Sequence, residues 1–189
     1  PVFPLGAAYM ASVAERHGHE VATVDCCFAP DAPAALSAAL ADFAPDVVGL
    51  SLRNLDSSAY PQTTSYVGGY RALGDAVRAA TAAPIVLGGA GFTVMPETLM
   101  RALGADVGVV GEGEQAFPWV LERLAAGAPL TTSPDMRCAP AGAGVCVTPT
   151  TRLRQLDAAG TPRREHFDWR AYYERGGALN IQTKRGCVF

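Results

Sequence analysis

At 189 residues, 49% of them apolar, the chain has room for one ordinary domain with an appendage and enough apolar surface for a real core. A net charge of −3 with interspersed signs offers no basic stripe, so nucleic acid is not an expected partner. No apolar run reaches the roughly 18 residues that span a bilayer, and no charged n-region precedes an apolar segment, so the sequence reads as soluble and cytoplasmic, with no membrane partner.

In chain order, Leu5 to His17 carries Leu5, Tyr9 and Val13 at helical spacing and meets a stop at Gly18. Glu20 to Cys27 is a short β-branched run that predicts a strand, and Ala32 to Phe43 predicts a helix ending before Pro45. The unbroken apolar character of Asp46 to Leu52 predicts a buried strand, followed by a polar loop and a helix from about Ser65 to Ala80. Pro84 to Phe92 predicts the next strand and Pro96 to Leu103 the next helix. Asp106 to Glu114 predicts the last strand of the series, and Ala116 to Ala126 its helix. Five cysteines, Cys26, Cys27, Cys138, Cys146 and Cys187, form neither an even set nor a CxxC pair, which argues against a disulfide scaffold.

Strands alternating with helices predict a parallel sheet covered by helices on both faces. A βα series that opens on a helix implies a strand upstream of Pro1. The expected fold is therefore α/β, a flavodoxin-like, Rossmann-type parallel sheet of order 2-1-3-4-5 with its first strand largely missing. Such sheets bind ligands outside the carboxyl ends of their strands. That places Leu5 and Gly6 in the first candidate loop, Ser51, Leu52, Arg53 and Asn54 in the second, Gly88 through Phe92 in the third, and Gly111, Glu112 and Gly113 in the fourth. Residues 1–127 form this domain. From 128 to 177, frequent Pro, Gly, Ala and Thr predict an irregular linker with a hairpin around Gly144 to Pro149, and a strand pattern returns over Ala178 to Thr183.

Gly88, Gly89, Ala90 and Gly91, with Phe92 behind them, have two readings. Residues without a Cβ let the backbone approach a bulky ligand such as a macrocycle or a nucleotide tail; equally, they can serve only a tight βα turn. A second open loop, Gly111 to Glu114, adds weight to the ligand reading. A dinucleotide GxGxxG fingerprint is not present, because "GGAGFT" breaks the spacing and "GEGEQAF" lacks the third glycine.

The ordered set "PDVVGLSLRNLDSSAY", "PIVLGGAGFTVMPETLM", "ADVGVVGEGEQAFP" and "NIQTKRGCVF" resembles the cobalamin-binding domain of cobalamin-dependent radical S-adenosylmethionine (SAM) enzymes over nearly the whole chain. The resemblance implies that residues 178–189 begin a radical SAM barrel, with Leu179 to Thr183 as its first strand. It also implies that Cys187 is the first ligand of a CxxxCxxC motif holding a [4Fe–4S] cluster, one iron of which is left open for SAM. Lys184 and Arg185 would then lie near the anionic cluster and the SAM carboxylate. The segment after Gly127 is expected to be mobile for want of that barrel.

Many cobalamin carriers place a cobalt-ligating histidine in a DxHxxG loop after the first strand. The corresponding stub here, Pro1 to Pro4, has none, and His17 and His19 lie at the far end of the helix. Ser51 keeps the serine of the family's SxL, but Arg53 stands where its leucine would be. Arg53 is expected either beneath the corrin, as a charge that cannot be deprotonated, or in an ion pair with Asp56 or a neighbouring carboxylate. The implied activity is methyl transfer to an unreactive carbon or phosphorus centre of a small molecule or peptide in natural-product biosynthesis, with ring formation or rearrangement as the other family chemistry. The competing class is a non-catalytic flavodoxin-like module that binds a nucleotide or a protein.

Overall fold

The computed structural model describes residues 1–130, 139–140, 146–147, 153, 155–176 and 178–185. Helix α1 (Leu5–Arg16) buries Ala8, Tyr9, Ala11, Ser12, Val13 and Ala14, which lie around most of its circumference. Helix α2 (Ala32–Phe43) starts where the Asp31 carboxylate accepts from the Ala34 amide at 3.0 Å, and it stops at Ala44 in the left-handed region. Strand β1 (Val48–Ser51), helix α3 (Val67–Ala80) and strand β2 (Ile85–Gly88) follow. A short α4 (Ala90–Val94) leads into α5 (Pro96–Leu103), which has proline in its first turn and Gly104 at φ +58° as its stop. Strand β3 (Val107–Gly108) and helix α6 (Gly113–Ala125) complete the series.

β1, β2 and β3 are parallel, with Val48 opposite Ile85 and Val86 opposite Val107. Strand alternation sorts β2 between two helical layers: Ile85 and Leu87 join the core formed with α2, α3 and α5, while Val86 joins Ala116 and Val120 of α6. Helix α1 lies on α6. At the amino ends of the strands, the Asp106 carboxylate accepts from both the Ile85 amide and the Arg78 guanidinium, at 2.7 and 2.5 Å. The two-residue strands β4 (Ala139–Pro140) and β5 (Cys146–Val147) pair antiparallel with each other, and β5 extends β3 in parallel, giving the order β1-β2-β3-β5-β4. That pairing overlaps the expected hairpin at 144–149, most of which lies outside the described residues.

The consecutive neighbours β1, β2 and β3 are the 3-4-5 half of the expected order. The other half is not formed. No strand occurs over Glu20 to Cys27; that segment is held by side chains instead. Thr23 Oγ1 donates to the His166 carbonyl, and the Asp25 carboxylate accepts from the Tyr172 hydroxyl at 2.8 Å. A β-branched run becomes a strand only beside a ladder partner, and among the described residues none lies alongside. The predicted strands from Pro84 and from Asp106 are also shorter than expected. Gly89 turns the chain into α4, and α6 already begins at Gly113.

The segment expected to be mobile is instead packed over 155–176 and 178–185. Two 3₁₀ turns (Leu156–Ala159 and Arg164–His166) and helix α7 (Trp169–Gly176) run back along the domain. Phe167 and Tyr172 are buried edge-on against Phe3, with ring centroids 5.6 and 5.5 Å away. Residues 179–183 form no barrel strand. Leu179 packs against the Phe3 cluster, Asn180 Nδ2 donates to the Phe3 carbonyl at 3.3 Å, and Arg164 donates to the Asn180 carbonyl. Among the described residues no helix is long and apolar enough to cross a membrane.

Candidate functional site

The loops that leave β1 and β2 are laced together by their backbones. The Leu52 amide donates to the Gly88 carbonyl at 2.8 Å, and the Gly91 amide donates back to the Leu52 carbonyl at 2.9 Å. This closeness explains two of the glycines. Gly89 has φ +98°, and a Cβ there would stand 2.5 Å from the Leu52 carbonyl oxygen; a Cβ on Gly91 would stand 3.1 Å from the backbones of Leu52 and Arg53. Both serve the chain's own packing, as the tight-turn reading expects. Gly88 differs, because the nearest atom to a Cβ built there is the Val109 carbonyl at 3.8 Å.

The loop after β3 is tied to the loop after β2 by Thr93, a residue not among the candidates read from the sequence. Its hydroxyl donates to the Gly89 carbonyl at 3.1 Å and accepts from the Gly111 amide at 2.9 Å. The three loops are thereby fixed relative to one another along the carboxyl edge of the sheet.

The expected site residues divide by exposure. Ser51, Arg53, Asn54 and Ala90 are exposed along that edge, as is Gly6 at the start of α1. Leu52, Gly91 and Phe92 are buried; the Phe92 ring occupies the space a side chain on Gly108 would need. Leu5 is half-buried, packed on the Phe3 cluster. Arg53 makes no ion pair among the described residues, and Asp56, its expected alternative partner, accepts instead from the Ser58 amide at 2.8 Å. The Asn54 carbonyl accepts from the Tyr70 hydroxyl at 2.6 Å; burial holds that phenol above its ordinary value despite the hydrogen bond.

No histidine lies on these loops. His17 caps α1 with Nδ1 3.5 Å from Glu122, and His166 Nε2 lies 2.7 Å from the Glu15 carboxylate. Cys26 and Cys27 are free thiols, and burial, reinforced by the Asp25 charge, raises the Cys26 thiol. Cys187 lies outside the described residues.

The carboxylates of the loop after β3 face the returning chain. Glu112 accepts from the Leu153 amide and lies 3.7 Å from Arg185 Nη1. Glu114, with a side chain 4% exposed, receives Arg185 Nη2 at 2.5 Å. Arg185 also donates from Nε to Gln182 Oε1 at 2.9 Å and lies over the Tyr9 ring. Burial opposes its charge, but the hydrogen bond and charge of Glu114, followed by Glu112 and Tyr9, outweigh that and raise its pKa. Removing one partner of such a buried pair costs about 3–5 kcal/mol, because the other charge is left uncompensated. Arg185 was expected beside an anionic cluster and SAM; here protein carboxylates hold it.

A parallel sheet with helices on both faces and a backbone-lined, exposed edge at the carboxyl ends of its strands is the cofactor-binding class of α/β domain. Residues 1–121 match the B12 binding domain family, and the chain belongs to that family. It is 34% identical over 131 residues to the tryptophan 2-C-methyltransferase of Streptomyces laurentii, a match covering 67% of this chain and 21% of that protein. It is also similar to two structures of the radical S-adenosylmethionine methyltransferase TsrM from Kitasatospora setae. The one with tryptophan and a SAM analogue bound matches at TM-score 0.75 and 29% identity, over 93% of this chain and 35% of that one. The one with cobalamin and a [4Fe-4S] cluster bound matches at TM-score 0.69 and 29% identity, over 82% and 28%. The chain thus spans about a fifth to a third of the length of these relatives.

Proposed function

We propose that this chain is the cobalamin-binding part of a cobalamin-dependent radical SAM methyltransferase that acts on an unreactive carbon of a small molecule or peptide, in the cytoplasm. The observation that carries the reading is one edge of the sheet. Exposed Ser51, Arg53, Asn54 and Ala90 lie there on loops fixed by their own backbone bonds, and Arg185 of the "TKRGC" segment is anchored to the third of those loops. Membership of the B12 binding domain family supports cobalamin as the ligand proposed for that edge.

The residues present fit a large, flat, neutral-edged group. Gly88 presents no side chain, and a Cβ there would meet nothing closer than the Val109 carbonyl at 3.8 Å; the neighbouring exposed groups are small or hydrogen-bonding. Ser51, Gly88 and Ala90 would hold the corrinoid, and Arg53 would present a permanent positive charge to the face of cobalt that lacks a histidine. When bound, cobalamin would supply a transferable methyl group; the protein's part is to bind, orient and exclude water. In this reading residues 1–127 are the cobalamin domain, 128–177 the connection, and 178–189 the entry to the radical SAM domain, with Cys187 as a cluster ligand.

Cys187→Ala in the full-length polypeptide tests the assignment. Iron and methyl transfer should be lost while cobalt is retained, since separate parts of the protein hold the two groups. Full iron content and activity in that variant would refute it.

A further inference from the structure

The two carboxylates of the loop after β3, Glu112 and Glu114, both face Arg185. Glu114 is a buried charged group whose Oε2 has no hydrogen-bond partner among the described residues, while its Oε1 is met by Arg185. Arg185 reaches it from 71 positions further along the chain. Two further features fix the arginine: the planar fork is held by Gln182 on one side, and it lies over the Tyr9 ring of α1, 5.3 Å from the centroid. Glu114 opens the helix that follows β3, on the same loop that Thr93 ties to Gly89.

We infer that Glu114, assisted by Glu112, is a positioning clamp that fastens the Lys184–Arg185 turn to the cobalamin-binding loops and so sets where the following cysteine segment enters. The inference rests on the functional reading above, in which Cys187 is a cluster ligand. Two peptide links reach no further than about 7 Å, so fixing Arg185 restricts the region available to Cys187. A single contact therefore couples the loop beyond β3 to the start of the second cofactor's site. Glutamates in a glycine-rich loop would ordinarily be read as ligand contacts; here they act on the protein's own arginine. Arginine suits the task because its charge persists and its fork can engage Glu114, Glu112 and Gln182 together.

The test uses the full-length polypeptide with Glu114→Gln, Arg185→Gln, Arg185→Lys and the Glu114→Gln/Arg185→Gln double variant. Amide hydrogen exchange over 178–185, cobalt and iron content, and the electron paramagnetic resonance spectrum of the reduced cluster are recorded for each. Each Gln variant should speed exchange over 178–185 at least tenfold and broaden or deplete the cluster signal. Cobalt should stay at the wild-type level, and the double variant should be no worse than either single one. Arg185→Lys should restore part of the cluster signal. Arg185→Gln leaves α6 untouched, so the measurement survives if Glu114→Gln folds poorly. Exchange within twofold of wild type in both single variants, or effects that multiply in the double one, would overturn the clamp. Loss of cobalt from Glu114→Gln with unchanged exchange would also overturn it, by placing Glu114 on the cofactor. A wild-type protein without cobalt or iron but with intact exchange coupling would refute the functional reading and the positioning role with it, leaving a contact of the fold.

Discussion

Gly88 and Gly89 are adjacent in sequence and opposite in consequence. A side chain on Gly89 meets the Leu52 backbone and must adopt φ +98°, so Gly89→Ala should destabilise the fold by about 2 kcal/mol or more, measured by urea denaturation. Gly88→Ala should leave stability within about 0.5–1 kcal/mol of wild type, since the new carbon meets only ordinary contacts, the Val109 carbonyl at 3.8 Å and the Val109 Cβ at 4.0 Å. If Gly88 faces cobalamin, Gly88→Val should weaken cofactor uptake without lowering the denaturation midpoint comparably. Arg53 offers the cleanest separation of fold from function. It is exposed and free of ion pairs among the described residues, so Arg53→Ala should not change stability, while the absorbance of bound Co(III) cobalamin should shift as an axial water gains access. The run of glycines was legible as a close approach; which glycine serves the chain and which is left to a ligand depends on where Leu52 lies, and no local pattern carries that.

Among the elements, the helices were the legible part. Helices α2 and α5 occupy the residues expected, Ala32–Phe43 and Pro96–Leu103; the structure adds Asp31 as the cap of the first and Gly104 as the stop of the second. Strand Glu20–Cys27 was misread because composition reports only suitability for a ladder, whereas the ladder needs a neighbour. Helix α7 was missed for the complementary reason: its one buried residue, Tyr172, matters through Phe3 and Asp25, which are distant in sequence. Burial, then the hydrogen bond and charge of Asp25, then Cys27, push the Tyr172 phenol up. Tyr172→Phe keeps the ring packing and removes the donor to Asp25, so it should cost about 1–3 kcal/mol in denaturant unfolding.

The contact between α1 and the turn at 164–166 should respond to acid. Hydrogen bonding from His166, partly opposed by burial and aided by Arg163, holds the Glu15 carboxyl below its ordinary 4.5. A depressed carboxyl contributes stability above its unfolded value and loses it as pH falls through the folded one. Amide protection over 163–172, normalised for intrinsic exchange, should therefore be constant above pH 4.5 and decline below it, and Glu15→Gln should flatten that profile. An unchanged acid response in Glu15→Gln would assign it to another group.

For the whole molecule, the alternation of elements was sufficient to give an α/β domain with a parallel sheet, because that follows from local patterns. The return of residues 155–185 across α1 was not legible. It depends on Phe3, Glu15 and Glu114 meeting residues that lie far along the sequence. The site inherits that division: Ser51 and Arg53 could be placed from their strand, whereas the use of Glu114 required the partner to be seen. The central claim is that the edge formed by the loops after β1, β2 and β3 takes cobalamin with no protein nitrogen on cobalt. The electron paramagnetic resonance spectrum of the Co(II) state, recorded on protein loaded with hydroxocobalamin and then reduced, tests it most directly. The account predicts stoichiometric cobalt and a spectrum without nitrogen superhyperfine splitting; absence of bound cobalt in folded protein, or a splitting that vanishes when His17, His19 or His166 is replaced, would contradict it.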